Sequence, residues 1–261
     1  MIVENRVGAN GAVGTQYVIS QPADGHTLLA TTTSVVQNLA LRKKLPYDIF
    51  MDLTPISQVF IVRIHFAVNS SMPVNNLSEY IKLAQANPGK YSFGSFDVGS
   101  TAHMLIEKIN LNYKTRILHV PYQGSPAAIN AMLAGDVQST LGDLFLLKQY
   151  ADAGKVKILA STGGKRSPYS PEIPTFDQAG IPGFDTDNWA AWFAPAGTPE
   201  RVLEKIAEDI RKVQQLADVK AGYAKQGIEP ASTTPAEMRK ILRDDHAYWN
   251  EMGDSIGMKA E

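Results

Sequence analysis

Apolar positions follow two spacings that take turns along the middle of the chain. Tyr91 and Phe93 alternate with Ser92 and Gly94, the period-two signature of a strand over 91–94. Met104, Leu105 and Ile109 then recur at helical spacing, predicting a helix over 101–110. The same exchange repeats downstream: strand 116–120, helix 126–134, strand 137–142, helix 144–152, strand 156–161. That rhythm predicts α/β architecture with an open parallel sheet.

The flanks carry further signals. Ile2 and Val3 look like the end of a strand, and Val13, Tyr17 and Val18 are expected to face inward from a helix behind Gly8, Gly11 and Gly14. Thr27 to Thr31 reads as a strand after the Asp24-Gly25 turn. Val59 to Val68 reads as another, with Ile64, Phe66 and Val68 on one face and Arg63 and His65 on the other. Asn76 with Glu79 is a capping box for a helix that Asn87-Pro-Gly ends. Ser167 to Phe184 is mainly loop, with four prolines and two glycines. Thr198 and Pro199 start a helix carrying Val202, Ile206, Ile210 and Val213. Thr234 and Glu237 form a second capping box, opening a helix with Met238, Ile241, Leu242 and Trp249 inward.

Composition narrows the classes. At 261 residues, 44% hydrophobic and 20% charged, the chain can build one large or two ordinary cores. A net charge of -1 gives no nucleic-acid footprint and no basic membrane patch. With no cysteine there is no disulfide and no thiolate metal site. No run is apolar enough to span a bilayer, and Met1-Ile-Val-Glu-Asn-Arg lacks the apolar stretch of a secretory leader.

The candidate chemistry lies where strands give way to helices. Gly94 and Gly99 bracket a small-residue turn, and Ser100 or Thr101 can cap the helix after it. First-turn N–H groups have no partner inside a helix, and the macrodipole adds partial positive charge, so a carboxylate fits there. A second such turn runs from His119 through Tyr122 and Gly124 to Ser125, with Ser125 as the expected cap and Pro126 at the first helical position. No lysine or arginine lies between Tyr91 and Met104 or between His119 and Asp143, so an anion here would be held mainly by neutral dipoles. Thr31-Thr-Thr-Ser34 reads either as a solvated loop or as a donor-rich ligand loop.

Catalytic and cofactor signatures are missing. There is no G-x-S-x-G and no H-E-x-x-H; the glycines at 8, 11 and 14 do not match the dinucleotide fingerprint, and Gly163-Gly-Lys-Arg lacks the first glycine of a P-loop. Asp185 with Asp187 is a solvated turn or a metal pair, and His103 a capping or core histidine or a base. No cofactor is expected.

Several stretches together resemble one family. They are Val3-Glu-Asn-Arg-Val-Gly-Ala-Asn-Gly-Ala-Val-Gly-Thr15, Ala23-Asp-Gly-His-Thr-Leu-Leu29, Leu45-Pro-Tyr-Asp48, His119-Val-Pro-Tyr-Gln-Gly124, Pro174-Thr-Phe-Asp-Gln-Ala-Gly180 and Phe193-Ala-Pro-Ala-Gly-Thr-Pro199. In this order they resemble the Bug-type, TctC-like solute-binding receptors of tripartite tricarboxylate transporters. The resemblance implies a two-lobed periplasmic binding protein fold of type II-like form, its parallel-sheet lobes joined by crossing strands. It implies lobe one at 1–67 with 191–261 and lobe two at 68–190. A small organic acid (a dicarboxylate, an aromatic acid or an amino acid) would be bound without catalysis, by hinge closure, in a periplasmic monomer that meets membrane transporter subunits. The runner-up is a cytoplasmic carboxylate sensor or a degenerate relic of the same fold.

Carried over by position, the ligand-binding residues implied are Thr32, Ser34, Gly99, Ser100, Thr101, His103, Tyr122, Gly124, Ser125, Ala127 and Asp143. Asp143 matches a family acid that takes a ligand amine or a bridging water, and stands equally well as a helix N-cap. Two departures are expected to matter. Family members begin with a leader, a strand, a Gly-rich turn and a helix ahead of the residue matched by Val3, so the chain is expected to be an N-terminally truncated member. Arg63 stands where the family usually has a neutral residue; it either faces solvent or pairs with a second ligand carboxylate.

Overall fold

The computed structural model describes residues 2–41 and 45–258. In chain order the elements are α1 (Ala12–Ile19), β1 (Leu29–Thr32), α2 (Ser34–Leu41), α3 (Ile49–Asp52), β2 (Leu53–Val62), β3 (Ile64–Asn69), α4 (Leu77–Ala86), β4 (Ser92–Ser95), α5 (Thr101–Tyr113), β5 (Leu118–Pro121), α6 (Ser125–Ala134), β6 (Ser139–Asp143), α7 (Leu144–Asp152), β7 (Val156–Ser161), β8 (Asn188–Pro195), α8 (Glu200–Val213), α9 (Ala217–Gln226), β9 (Glu229–Pro230) and α10 (Pro235–Ser255). The chain forms two compact units. One comprises Met1–Ile61, Trp189–Tyr223 and Glu229–Glu261; the other comprises Val62–Asn188 and Ala224–Ile228.

The second unit is built on a five-stranded sheet of order β5-β4-β6-β3-β7. β4 runs parallel to β5 and β6, as the βα rhythm predicts, but β3 is antiparallel to both β6 and β7. The sheet is therefore mixed. β3 enters it directly from β2, so no crossover helix forces it parallel. Phe66, fully buried on β3, lies against Tyr80, Phe93 and Phe176 at ring-centroid distances of 5.0, 5.7 and 6.2 Å. Ile106, Ile109, Leu141 and Phe184 extend this core. Ala67, on the opposite face of β3, belongs to another cluster with Ile129, Met132 and Leu147. With both faces covered, β3 has no polar face: His65 is buried on it and Arg63 is buried just ahead of it, so of the two readings of Arg63 the solvent-facing one does not hold.

The single strand expected over Val59–Val68 is thus two strands broken at Arg63, one in each unit. The sequence bounds at 67/68 and 190/191 fall inside β3 and β8, because β3 joins the second sheet from Ile64 and Asn188 still belongs to the second unit.

In the first unit the sheet order is β1-β8-β2-β9, with β1 antiparallel to β8 and β2 antiparallel to β9. Ile56, Ala194, Leu203, Ala207 and Ile210 form its core beside α8. Val213, one of the helically spaced apolar residues, is exposed; the buried stripe runs Leu203, Ala207, Ile210 and Gln214, whose Nε2 donates to Val59 O. In α1 the inward positions are Ala12, Thr15 and Val18, while Val13 is exposed and Tyr17 is half-buried under the Arg6 guanidinium. Ile2 and Val3, expected at a strand end, carry no regular secondary structure and are exposed. The Thr234 and Glu237 capping box is formed in both directions. At α4 Asn76 caps Glu79 N, while the Glu79 carboxylate reaches back to Asn75 N.

Candidate functional site

In the second unit the carboxyl ends of β4, β5, β6 and β7 and the amino end of β3 share one rim of the sheet, as the pairings Ile64 with Asp143 and His65 with Ser161 require. Nine of the eleven sequence-derived site residues lie in turns and helix starts that follow these ends. Thr32 and Ser34 belong to the first unit, where Thr32 Oγ1 donates to Ser34 Oγ at 3.1 Å beside Gly11.

The turn after β4 closes on itself. Ser95 Oγ and Ser100 Oγ both donate to the Asp97 carbonyl, at 3.0 and 2.7 Å. Ser100 is the N-cap of α5, its Oγ accepting from His103 N. Thr101 Oγ1 donates to Asn188 Oδ1 at 2.8 Å, and Gly99 N donates to His103 Nδ1 at 3.1 Å. Gly99 has φ 77°, a conformation that suits glycine. Ser100 and Thr101 are buried. Their hydroxyls, read from the sequence as anion donors, bond within the protein here.

Two histidines buttress this turn. The His103 and His119 rings stack with centroids 3.7 Å apart and planes 9° from parallel. Ser95 Oγ spends its proton on Asp97 O, so it accepts from His119 Nε2 at 2.6 Å. Burial lowers the pKa of His103, and burial together with the neighbouring His103 takes His119 down to about 4. Both rings are neutral at pH 7. His103 Nδ1, an acceptor here, leaves the proton on Nε2, 4.0 Å from Glu107 Oε1.

The turn after β5 lies alongside, joined by Tyr122 N to Ser95 O (2.9 Å) and Gly124 N to Phe96 O (3.2 Å). A side chain at Gly94 would meet Tyr122, Val137 and Ala128, so the glycine lets α6 settle on β4. Gly124, not Ser125 as the sequence suggested, is the N-cap of α6; it has φ 92° and ψ 162° and no side chain with which to cap, and the helix already begins at Ser125 ahead of Pro126. The first-turn amides of Ser125 and Ala127 therefore have no side-chain cap. Ser125 Oγ is buried and makes no hydrogen bond of ordinary geometry. It lies beside Asp143, whose pKa is pushed up by burial and held back by the Ser125 hydroxyl and by a backbone amide. Asp143 stands at the N-cap position of α7, but its side chain does not cap.

Arg63 reaches the same rim. Its Nε lies 3.4 Å from Asp187 Oδ1, and a side chain at Gly163 would collide with both. Burial raises the pKa of Asp187 while the Arg63 charge lowers it. The loop acid read as a solvated turn or half a metal pair is thus the half-buried partner of the buried Arg63 guanidinium. No group of three or more metal-ligating side chains converges among the described residues. His119, Asn188 and the Arg63–Asp187 pair were missed or left undecided by sequence reasoning, because each depends on a partner distant in the chain.

The fold has well-matched solved counterparts. It superposes with a TM-score of 0.92 on R. palustris Rpa4515, solved with adipate, at 28% identity over 100% of this chain and 87% of that one. The periplasmic binding protein BugD gives 0.90 at 26% identity, over 100% of this chain and 88% of that one. The architecture is the two-lobed α/β fold of periplasmic binding proteins. The sequence matches the tripartite tricarboxylate transporter family receptor over residues 1–258, and BugT of Bordetella pertussis is 30% identical across 99% of this chain and 80% of its own length. The chain belongs to this TctC family of receptors.

Proposed function

We propose that the protein is an extracytoplasmic solute-binding receptor that captures a small carboxylated solute for a tripartite tricarboxylate-type transporter, without catalysing a reaction on it. The observation that carries this reading is the match to the receptor family along nearly the whole chain. The rim of the second unit supports it chemically. The uncapped start of α6 offers amides and the Ser125 hydroxyl to an anion, next to a turn held rigid by its own hydrogen bonds. Gly99, Ser100, Thr101 and His103 act mainly by shaping that neighbour, while Tyr122, Gly124, Ser125 and Ala127 supply the contacts. Asp143 takes a ligand amine or a bridging water.

The solute class is a dicarboxylate, an aromatic acid or an amino acid; adipate, bound by the similar R. palustris protein, is a first candidate. The working compartment is the periplasm and the partners are the transporter's membrane subunits. Among the described residues no helix is long and apolar enough to cross a membrane itself. The test is a melting screen against adipate, malate, succinate, benzoate and aspartate, with mass spectrometry of any solute released from the purified protein. A carboxylate that raises the melting temperature in proportion to its concentration supports the reading. No shift with any acid, and no acid released, contradicts it.

A further inference from the structure

Asn188, the first residue of β8, is 9% exposed. Its Oδ1 accepts from Thr101 Oγ1, and its Nδ2 is closed off from solvent with no hydrogen-bond partner among the described residues. Thr101 opens α5, a helix of 13 residues, and is itself buried. One hydrogen bond therefore fixes the carboxamide against a helix start, leaving its amino group as a buried, unused donor. Such a donor loses its water contacts on folding and gains nothing in return, so its retention calls for an acceptor.

The surroundings say what kind of acceptor. The amino end of α5 has the polarity of a partial positive charge, the same sign that an amide N–H presents. The neighbouring Asp187 carboxylate is engaged by Arg63, so its negative charge is compensated. An oxygen of an anion brought there gives the carboxamide its acceptor and sits on the favourable side of the helix dipole, with the Ser100 cap left in place.

We propose that Asn188 is a ligand donor of the second unit: its Nδ2–H completes a hydrogen bond to a carboxylate oxygen of the bound solute at the start of α5. The inference rests on the receptor reading above and adds a contact from a residue outside the two turns. It also gives the Thr101 hydroxyl a role, that of aiming the carboxamide.

Titration calorimetry with succinate, benzoate and aspartate, one acid from each candidate class, tests it alongside melting curves of the ligand-free proteins. Asn188→Asp keeps an oxygen for Thr101 and replaces the donor with an acceptor. It should weaken whichever acid binds the wild type by roughly 10–100-fold, the range for a hydrogen bond to a charged group. Asn188→Ala should weaken it several-fold while the ligand-free melting temperature holds or rises. If Asn188→Asp binds within about twofold of the wild type, the proposal is overturned. It is equally overturned if Asn188→Ala lowers the ligand-free melting temperature and leaves affinity intact, since Asn188 would then be only a strut for Thr101. A wild type that binds none of these three acids, nor adipate or malate, takes away the receptor reading and this contact with it; a binding wild type beside an unaffected Asn188→Asp removes the contact alone.

Discussion

At the start of α5 a serine caps the helix, a threonine hydroxyl is tied to Asn188, and a glycine amide is held by an imidazole. At the start of α6, one turn away across the rim, a glycine stands at the cap and the serine beside it has no well-formed bond. Both stretches run strand, glycine, serine, helix. What separates them is one register step: Ser100 occupies the N-cap position, whereas Ser125 is already the first helical residue. A hydroxyl at the cap satisfies the helix; one residue later it lies beside the Asp143 carboxylate instead. The first turn is therefore mainly a frame, with the Asn188 amide as its proposed outward donor, while the second leaves its first-turn amides without a side-chain cap.

The largest expected effect breaks the frame by acid. His65, buried on β3 with Nε2 3.2 Å from Ser170 Oγ, has its pKa taken by burial down to about 4. His119 is also near 4, and His103 is lowered. The folded protein thus takes up these protons at lower pH than the unfolded chain. Stability is complete above the usual histidine range and is lost as pH falls from about 6.5 toward 4. His65 alone accounts for about 3 kcal/mol of that loss; the more exposed His103 and His119 add less. Protonating His103 Nδ1 also removes the acceptor of Gly99 N–H. Urea melts at pH 7 and pH 4.5 measure the total. Hydrogen exchange should show 95–103 loosening before 121–128; a uniform loss would erase the contrast between the turns.

Next in size is Gly124→Val. A φ of 92° with ψ of 162° lies where a branched side chain is strained by about 1–3 kcal/mol. Thermal unfolding should fall accordingly and carboxylate binding should drop with it; an unchanged melting temperature would mean that the α6 turn has another conformation. Smaller again is Ser100→Ala, which removes a cap worth about 1 kcal/mol. It should lower the melting temperature and leave carboxylate affinity nearly intact, and the reverse outcome would make Ser100 a ligand contact.

Sequence reasoning reached local chemistry well. Asn76, Ser100 and Thr234 act as caps because a cap needs only partners three residues away. The strands and helices of the second unit were legible because each buries a periodic apolar face. α9 was invisible for the converse reason: it buries no residue, so it leaves no stripe. The family resemblance supplied the two-lobed fold, which periodicity alone did not reach. Burial of Arg63 depends on Asp187, and the open donor of Asn188 depends on Thr101, 87 residues away. Neither pairing leaves a mark in local spacing. The register step between Ser100 and Ser125 was present in the sequence, but only the backbone at Gly124 shows which serine caps.

The most direct test of the division between frame and donors is Ser125→Ala measured by calorimetry with the acid that shifts the wild-type melt most. Ser125 Oγ makes no hydrogen bond of ordinary geometry and only eases the neighbouring Asp143 carboxylate, so the ligand-free melting temperature should fall only slightly. Carboxylate affinity should fall about tenfold as a donor to a charged group is lost. Full affinity in Ser125→Ala, with stability lost instead, would contradict the account and return Ser125 to a structural role.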